Sequence, residues 1–459
     1  MSLTANVTPM RCLTQFRPDQ GRYVTQEDGF AHQSNDFVGD LAPAIILDCH
    51  LKSALAAIRS LGRRGIRVIA GSYRPAAMGF FSRYVRERFL YPSPLANHDA
   101  FVECVRRQAG SFGRPILLTF SDSTLLPLLS VAHRDRAWTW LVPDAMNSLD
   151  LAFDKFKTLE LARELGIQVP DTYLGAMGTS FPIFLKSHGW PLVVKPRRTV
   201  YWHGNRGVQG SAVFAISADD LASRYSAAVR NTGVFPLVQE YVSGEEASVQ
   251  FLCRQGDVLA ACANRRLRSV NPIGGPGALK ETVPLSYCGL GELGRRLASA
   301  LKWSGPMMVE FKIDRATSIP KLMEINGRFW GSLPLAIFAG ADFPYLYYRV
   351  AQGLEVEPSG TYTEGIASRH FMSDLKHLHA VLFKRDAMRS VAYPTRVRAV
   401  HDFLNLPRGC KSDVLDSLDI LPAFAEMIDT CGAYYSRLKT RGEMNVIAAE
   451  SPRSKCSLT

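Results

Sequence analysis

The stretch that decides the fold reads MMVEFKIDRATSIPKLMEINGRFWGSL and runs from Met307 to Leu333. It contains two runs with the alternation of short strands, Val309–Asp314 and Lys321–Ile325. The residues between them, 315–320, are mostly polar and predict a turn. The stretch therefore predicts an antiparallel hairpin.

Two glutamates face each other in this hairpin if its register pairs Asp314 with Pro320. Glu310 then lies across from Glu324 at about 5 Å, where two carboxylates repel each other. A divalent cation between them reverses that interaction, and the amide oxygen of Asn326 on the same face suits a hard ion such as Mg²⁺. A solvated hairpin is the alternative, and a slip of one residue would separate the two glutamates onto opposite faces. The residues after the second strand favour the metal site over the solvated hairpin. They place a cation, Arg328, and a corner of small residues, Gly331 and Ser332, next to the expected metal.

The same residues carry a family resemblance. The runs E-F-x-x-D from Glu310 and M-E-I-N-G-R-F-W-G-S-L from Met323 resemble the metal-binding core of ATP-grasp ligases, and residues 83–94 resemble a branch of predicted carboligases, the carboxylate–amine ligase type. The resemblance implies ATP and Mg²⁺ (or Mn²⁺) as cofactors. It implies that Arg328 is catalytic and stabilises the transferring phosphoryl group, and it implies three metal ligands: Glu310, Glu324 and Asn326.

Two lysines are candidates for the ATP phosphates. A lysine within the apolar strand pattern 191–196 is costly to bury unless an anion pairs with it, and the resemblance gives this residue, Lys195, a phosphate-binding and catalytic role. The other phosphate lysine of the resemblance is Lys155, with Lys157 as the neighbouring alternative. A glycine-containing turn at residues 203–208 could cover the phosphates.

Further residues are assigned to the nucleotide and the substrate by the same resemblance. Residues 239–246 resemble the adenine hinge of the family. The resemblance implies that four of them bind the nucleotide: Glu240, Tyr241, Val242 and Glu246. Of these, Glu246 would accept hydrogen bonds from the ribose hydroxyls. Arginines beside a glycine corner suit a carboxylate or phosphate substrate, although they could equally form a solvated basic edge. The candidate substrate residues are Arg266, Arg268, Gly275 and Ser332.

The chain divides into an α/β assembly with an α+β catalytic core. Residues 1–40 are polar and predict a disordered leader. Residues 41–143 begin with a βαβ pattern and predict a doubly wound, Rossmann-like pre-ATP-grasp domain. Residues 144–352 are the expected ATP-grasp domain, with a mobile lid at about 190–243. Residues 353–459 predict a helical C-terminal extension and tail.

Polar residues at the predicted strand ends of the first domain have two interpretations. The first turn lacks G-x-G-x-x-G, which disfavours a nicotinamide or flavin role. His50 and the pair Ser121-Asp122 lie where open α/β sheets bind ligands. The alternative for His50 is a hydrogen-bonded loop histidine, and the alternative for Ser121 or Asp122 is a helix N-cap. We prefer both of these structural interpretations to ligand binding.

Composition limits the function classes. The chain has 459 residues and a net charge of +12, which suits small anionic partners, and no nucleic-acid-binding motif is visible. The nine cysteines show no C-x-x-C spacing and predict reduced thiols of a cytoplasmic protein. No run reaches the ~18 apolar residues of a membrane span. A homodimer is possible.

The resulting hypothesis is an ADP-forming ligase. ATP would phosphorylate a carboxylate, and an amine or similar nucleophile would displace phosphate from the acyl phosphate. A bicarbonate-using carboxylase is one alternative, and a non-catalytic ATP-binding scaffold is the other.

Overall fold

The computed structural model describes residues 41–131, 136–143, 146–176, 181–358, 360–384, 393–430 and 432. The predicted leader, residues 1–40, and most of the tail lie outside these residues. None of the helices in the described part of the chain has the length and apolar character of a transmembrane segment.

The first region is built on a parallel sheet of four strands in the order β3-β2-β1-β4. The strands β1 and β4 are fully buried, although β4 ends the sheet, which is why both read as continuous apolar runs. This confirms the predicted βαβ start. The elements are β1 (Ala44–Ile46), α1 (Lys52–Arg63), β2 (Val68–Ser72), β3 (Val85–Leu90), α2 (His98–Gly110), β4 (Ile116–Leu118) and α3 (Asp122–Val131).

The second region contains an antiparallel sheet in the order β5-β10-β6-β9 and a separate hairpin, β7–β8. Two consecutive helices in this region, 146–153 and 155–164, are separated by Asp154, which leaves the helical conformation and caps the second of them. The elements are α4 (Met146–Phe153), α5 (Lys155–Glu164), β5 (Thr172–Leu174), α6 (Phe181–His188), β6 (Leu192–Lys195), β7 (Val200–His203), β8 (Arg206–Gln209), β9 (Val213–Ala215), α7 (Ala218–Thr232) and β10 (Leu237–Glu240).

The third region is a seven-stranded sheet in the order β15-β14-β11-β12-β13-β16-β17. Its long central strands pair antiparallel and carry the expected hairpin. The elements are β11 (Gly244–Arg254), β12 (Asp257–Asn271), β13 (Gly274–Val283), α8 (Leu290–Ala300), β14 (Gly305–Asp314), β15 (Pro320–Asn326), α9 (Leu333–Phe338), α10 (Phe343–Ala351), β16 (Ala367–Arg369), α11 (Phe371–Phe383), α12 (Arg396–Leu404) and β17 (Lys411–Ser412). A further helix occupies residues 421–430.

The extension after residue 353 is helical as expected, but it also adds β16 and β17 to the large sheet. Three aspartates of its D-V-L-D-S-L-D run hold it to the first region. Asp413 is fully buried and pairs with Lys52 of α1 and Lys280 of β13. Asp416 and Asp419 pair with two arginines of the same helix α1, Arg63 and Arg59. The extension therefore ties α1 to the large sheet.

The first sheet packs directly on the residues that follow β15. Phe329 and Trp330 are buried in one apolar cluster with Ile46 of β1 and Leu118 of β4. Phe329 stacks on Phe120, just beyond β4, with ring centroids 5.2 Å apart. This packing brings the carboxyl edge of the first sheet against the end of the predicted metal-binding hairpin.

Candidate active site

The hairpin β14–β15 places Glu310 directly opposite Glu324, as the sequence predicted. The predicted pairing of Asp314 with Pro320 is wrong, because Ile313 pairs with Pro320. A β-bulge at Met323 shifts the register by one residue between the two pairs. The two glutamates still face each other, because the bulge lies between their pair and the turn and corrects the register before it reaches them.

Asn326 joins the two carboxylates. Its Nδ2 donates to Oε1 of Glu310 over 3.1 Å and to Oε1 of Glu324 over 3.4 Å, while its Oδ1 accepts from Arg328. The amide oxygen therefore points away from the carboxylate pair. Asn326 can act as a metal ligand only if its amide turns over, which exchanges the positions of the oxygen and the nitrogen.

The two glutamates pair with different cationic side chains. Arg266 Nη2 donates to Glu310 Oε2 over 2.9 Å, and Glu324 Oε2 lies 3.4 Å from Lys155 Nζ and 3.9 Å from Lys195 Nζ. Burial raises the pKa of Glu310, and Arg266 only partly opposes this rise. Burial also favours protonated Glu324, but Lys155 and Lys195 outweigh it and lower its pKa. The carboxylates thus differ in acidity although they face each other.

Lys195 is the buried lysine that the sequence singled out. Strand β6 carries it to the hairpin, where its Nζ donates to the main-chain carbonyl of Met323 over 3.0 Å. Burial lowers its pKa. Lys155, at the first position of α5, approaches the same oxygen of Glu324, Oε2, and also reaches Thr199 Oγ1 over 3.4 Å. Two ammonium groups therefore converge on one glutamate.

The choice between Lys155 and Lys157 follows from their partners. Lys157 pairs with Asp150, a partly exposed acid of α4, whereas Lys155 pairs with Glu324. The structure therefore brings Lys155, and not Lys157, to the candidate site.

Arg328 is connected to the carboxylate pair through the side chain of Asn326. Its three nitrogens have separate partners: Nε donates to Asp122 Oδ1 over 2.8 Å, Nη1 to the carbonyl of Phe329 over 3.0 Å and Nη2 to Asn326 Oδ1 over 3.1 Å. Asp122, which the sequence favoured as a helix cap, is a partner that sequence reasoning missed. The N-cap of α3 is Ser121, whose Oγ accepts from Thr124 N over 3.3 Å.

The predicted adenine hinge is tied to the hairpin by two lysines of its own. Lys312 Nζ donates to the carbonyl of Val242 over 3.1 Å and lies 5.1 Å from the ring centroid of Tyr241. Lys321 Nζ donates to Glu240 over 2.6 Å. Sequence reasoning missed this function of Lys312, although its spacing of two from Glu310 placed both on one face.

Glu246 and Glu245 are both paired. Glu246 accepts from Arg266 over 2.6 Å and from Ser269 over 3.0 Å, so its predicted contact with ribose stays a prediction. Glu245 Oε1 accepts from the hydroxyl of Tyr287 over 2.6 Å. Arg266 thus bridges Glu246 and Glu310.

The remaining substrate candidates are distributed differently. The carbonyl of Gly275 accepts from Arg266 over 2.7 Å, which places this corner beside the site. Ser332 Oγ accepts from Asn264 over 3.2 Å. Arg268 is held by fully buried Asp374 through bonds of 2.7 and 2.8 Å, and it does not pair with the carboxylates of the hairpin. Its predicted substrate role stays a prediction that would require breaking this pair.

The predicted phosphate-covering turn is the tip of the hairpin β7–β8. The tip contacts the start of α2 through two backbone bonds, from His98 N to Asn205 O (3.1 Å) and from Gly207 N to Leu95 O (2.8 Å). The rings of Trp202 and His98 meet edge to face at 5.0 Å. The bulky side chain of Trp202 therefore packs against the first region.

His50 is a hydrogen-bonded histidine, the interpretation that the sequence favoured. Its Nδ1 lies 3.3 Å from Ser72 Oγ, and its ring packs edge to face on Tyr73. Burial, assisted by the charge of Arg74, lowers the pKa of His50 to about 4. The imidazole is therefore neutral at pH 7.

The donor set fits a hard divalent cation in its chemistry. Two opposed carboxylates with an amide beside them are oxygen donors of the kind that Mg²⁺ and Mn²⁺ prefer. Within the described residues there is no group of three or more histidine, cysteine or acidic side chains arranged for a metal. A cation here would hence need oxygen ligands from a bound nucleotide or water, as Mg²⁺ commonly has.

Comparisons with known proteins agree with this geometry. Residues 235–372 match a family described as "ATP-grasp in the biosynthetic pathway with Ter operon". The structure is similar to the biotin carboxylase domain of the Hydrogenobacter thermophilus 2-oxoglutarate carboxylase, at a TM-score of 0.55 and 15% identity over 72% of this chain and 74% of that chain. The chain has the ATP-grasp fold. The ATP-grasp fold that the hairpin residues led us to expect is thereby confirmed.

Two other ATP-grasp structures show the same similarity. N5-carboxyaminoimidazole synthetase from Staphylococcus aureus has a TM-score of 0.53 at 13% identity over 71% of this chain and 80% of its own. Biotin carboxylase from Campylobacter jejuni has a TM-score of 0.55 at 15% identity over 71% and 74%. A search of curated proteins finds no significant match to the sequence. At these identities the similarity establishes the fold alone.

Proposed function

We propose that the protein is an ATP-dependent, ADP-forming ligase that activates a carboxylate as an acyl phosphate for attack by an amine or similar nucleophile. The observation that carries this proposal is the convergence of Lys155 and Lys195 on Glu324, which in turn faces Glu310. Two ammonium groups beside two carboxylates form a site that can hold a triphosphate together with a divalent cation.

Each cationic side chain has a separate task in this reaction. Lys195 and Lys155 bind phosphate oxygens and give up Glu324 to do so. Arg328 stabilises negative charge on the phosphoryl group as it moves, because its guanidinium can donate two parallel hydrogen bonds. Bound Mg²⁺ or Mn²⁺ would screen the charge of the phosphates between Glu310 and Glu324.

The reaction balances without a further reactant. A carboxylate oxygen of the substrate bonds to the γ-phosphorus of ATP as the bond to the β-phosphate oxygen breaks, which releases ADP. The nucleophile then attacks the acyl carbon and phosphate leaves, while the amine loses a proton. Positioning and charge stabilisation account for most of the catalysis of such a transfer.

We assign the nucleotide to the predicted hinge and the adjoining hairpin β14–β15, which Lys312 connects. Backbone groups at Tyr241 and Val242 would bind adenine, with Glu240 held in place by Lys321. The Hydrogenobacter domain, which has the same fold, was crystallised in complex with MgADP, ADP and bicarbonate. The proposal includes the domain division at 143 and 352, the lid at about 190–243, small-molecule substrates and a possible cytoplasmic homodimer.

The nucleotide products test the reaction class. With Mg²⁺, ATP and a panel of carboxylic acids, the protein should release ADP and phosphate, and Glu324→Gln should not. AMP and pyrophosphate would contradict the proposal, since they require attack at the α-phosphate. Nucleotide binding without turnover across a broad panel would favour a scaffold.

A further inference from the structure

Asp122 connects the first region to Arg328, the cation assigned to the phosphoryl group. It is the first residue of α3 and follows β4 at the carboxyl edge of the first sheet. Its Oδ1 accepts from Arg328 Nε over 2.8 Å, and the side chain is only 5% exposed. In the described part of the chain, Asp122 is the one carboxylate in ion-pair contact with Arg328.

The turn that carries Asp122 is held rigidly from both sides. Ser121 caps α3, and the carboxylate of buried Asp48 accepts from Phe120 N over 3.1 Å and from Thr124 Oγ1 over 2.7 Å. These bonds fix the residues on either side of Asp122 to β1. The carboxylate is therefore a fixed point against which the guanidinium can be oriented.

The position of Arg328 matters because other carboxylates are close. Glu310 and Glu324 both act electrostatically on Arg328, and Asn326 links the three side chains. A buried guanidinium that loses one carboxylate partner turns toward another, since an unpaired buried charge is costly. Without Asp122, Arg328 would pair with the carboxylates that are assigned to the metal.

We propose that Asp122 is a positioning residue that holds Arg328 beside the two glutamates and keeps it from pairing with them. The proposal rests on the proposed function for the role of Arg328. It makes the carboxyl edge of the first sheet a part of the active site. Asp122 itself touches neither the reacting atoms nor the metal ligands in this assignment.

Metal affinity tests this proposal without a known acid substrate. Mn²⁺ binding to the full-length protein is measured by electron paramagnetic resonance in the presence of a non-hydrolysable ATP analogue. Asp122→Asn has the same shape without the charge and should weaken Mn²⁺ binding about tenfold, because freed Arg328 competes for the glutamates. Asp219→Asn, an exposed acid in the first turn of α7, is the matched control and should leave the affinity unchanged.

A double substitution separates positioning from a structural role. In an Arg328→Gln background no guanidinium can move onto the glutamates, so adding Asp122→Asn should change Mn²⁺ affinity by less than about twofold. An equal loss in both backgrounds would overturn the proposal, and so would unchanged affinity in Asp122→Asn alone. If Asp122→Asn does not fold, Asp122→Ser, which also removes the charge, serves with the same expected dependence on Arg328.

The outcomes also distinguish this proposal from the proposed function. If the wild-type protein binds Mn²⁺ and nucleotide but releases no ADP with any acid, the proposed ligase function is contradicted. The Mn²⁺ affinities of the Asp122 and Arg328 variants would still show whether Asp122 holds Arg328 away from the glutamates.

Discussion

Lys195 Nζ lies 3.0 Å from the main-chain oxygen of Met323, the extra residue of the bulge in β15. A bulge leaves a ladder carbonyl unpaired and turns it out of the strand. Here that carbonyl orients the ammonium of Lys195 toward Glu324, the neighbour of Met323. The irregularity in the hairpin thus positions Lys195, the buried lysine that we propose to bind phosphate.

Replacing Lys195 by alanine should weaken ATP binding by about tenfold to a hundredfold, because charged hydrogen bonds contribute about 1.5–3 kcal/mol. Calorimetric titration with ATP and Mg²⁺ measures the change. Lys157→Ala is the matched control, since Lys157 pairs with Asp150 outside the site, and its affinity should equal that of the wild type. Equal affinities for all three proteins would remove Lys195 from the phosphate site.

Replacing Glu324 by glutamine should destabilise the metal-free protein by about 1–3 kcal/mol. Repulsion between two opposed glutamates alone would predict a gain in stability. The structure reverses this expectation, because Glu324 neutralises both Lys155 and Lys195, which would repel each other without it. Urea unfolding in the presence of a chelator measures the difference, and a more stable variant would show that the lysines do not pair with Glu324 in solution.

Trp202→Ala should speed the dissociation of nucleotide. Trp202 packs on His98 and helps hold the tip of the hairpin β7–β8 against the start of α2, so its removal should free the hairpin. Stopped-flow displacement of a fluorescent ATP analogue gives the rate. Phe235→Ala removes an exposed ring that stacks on Tyr225 elsewhere in the second region and serves as the control. The same rate in the two variants would contradict a holding role for Trp202.

His50 should make the protein less stable in mild acid. Its pKa is lowered from 6.5 to about 4, so the unfolded chain binds a proton more readily and stability falls as the pH drops from 6.5 toward 4. Between pH 7 and pH 5 this costs about 2 kcal/mol. Unfolding free energies at pH 7 and pH 5 measure this effect, and in His50→Gln that part of the loss should disappear. If His50→Gln loses as much stability between the two pH values as the wild type, His50 is protonated in the folded protein at pH 5.

The sequence predicted the parts of the site that depend on short-range pattern. Strand alternation placed Glu310 across from Glu324, and an uncompensated charge in an apolar strand identified Lys195. The bulge at Met323 was not predicted, because one extra residue leaves the apolar pattern of a short strand almost unchanged. The expected pairing of Asp314 with Pro320 failed for that reason.

Contacts between distant segments could not be read from the sequence. Asp122 and Arg328 are 206 residues apart, and nothing in either local pattern distinguishes an ion pair from a helix cap. The strands β16 and β17 have only three and two residues, too few for a periodicity to be visible. Arg268 and Arg266 look alike in sequence, and only the fold assigns one to Asp374 and the other to Glu310.

If the protein is the proposed ligase, ATP converts a carboxylate into an acyl phosphate at the hairpin of Glu310 and Glu324. The most direct measurement is hydroxamate formation when the protein is incubated with Mg²⁺, ATP, hydroxylamine and single carboxylic acids. Hydroxylamine is a strong nucleophile and intercepts an acyl phosphate. The protein should form a hydroxamate that depends on one class of acid and equals the ADP released, and Glu324→Gln should form none. Hydroxamate accompanied by AMP, or ADP release that bicarbonate stimulates without any hydroxamate, would contradict the proposal.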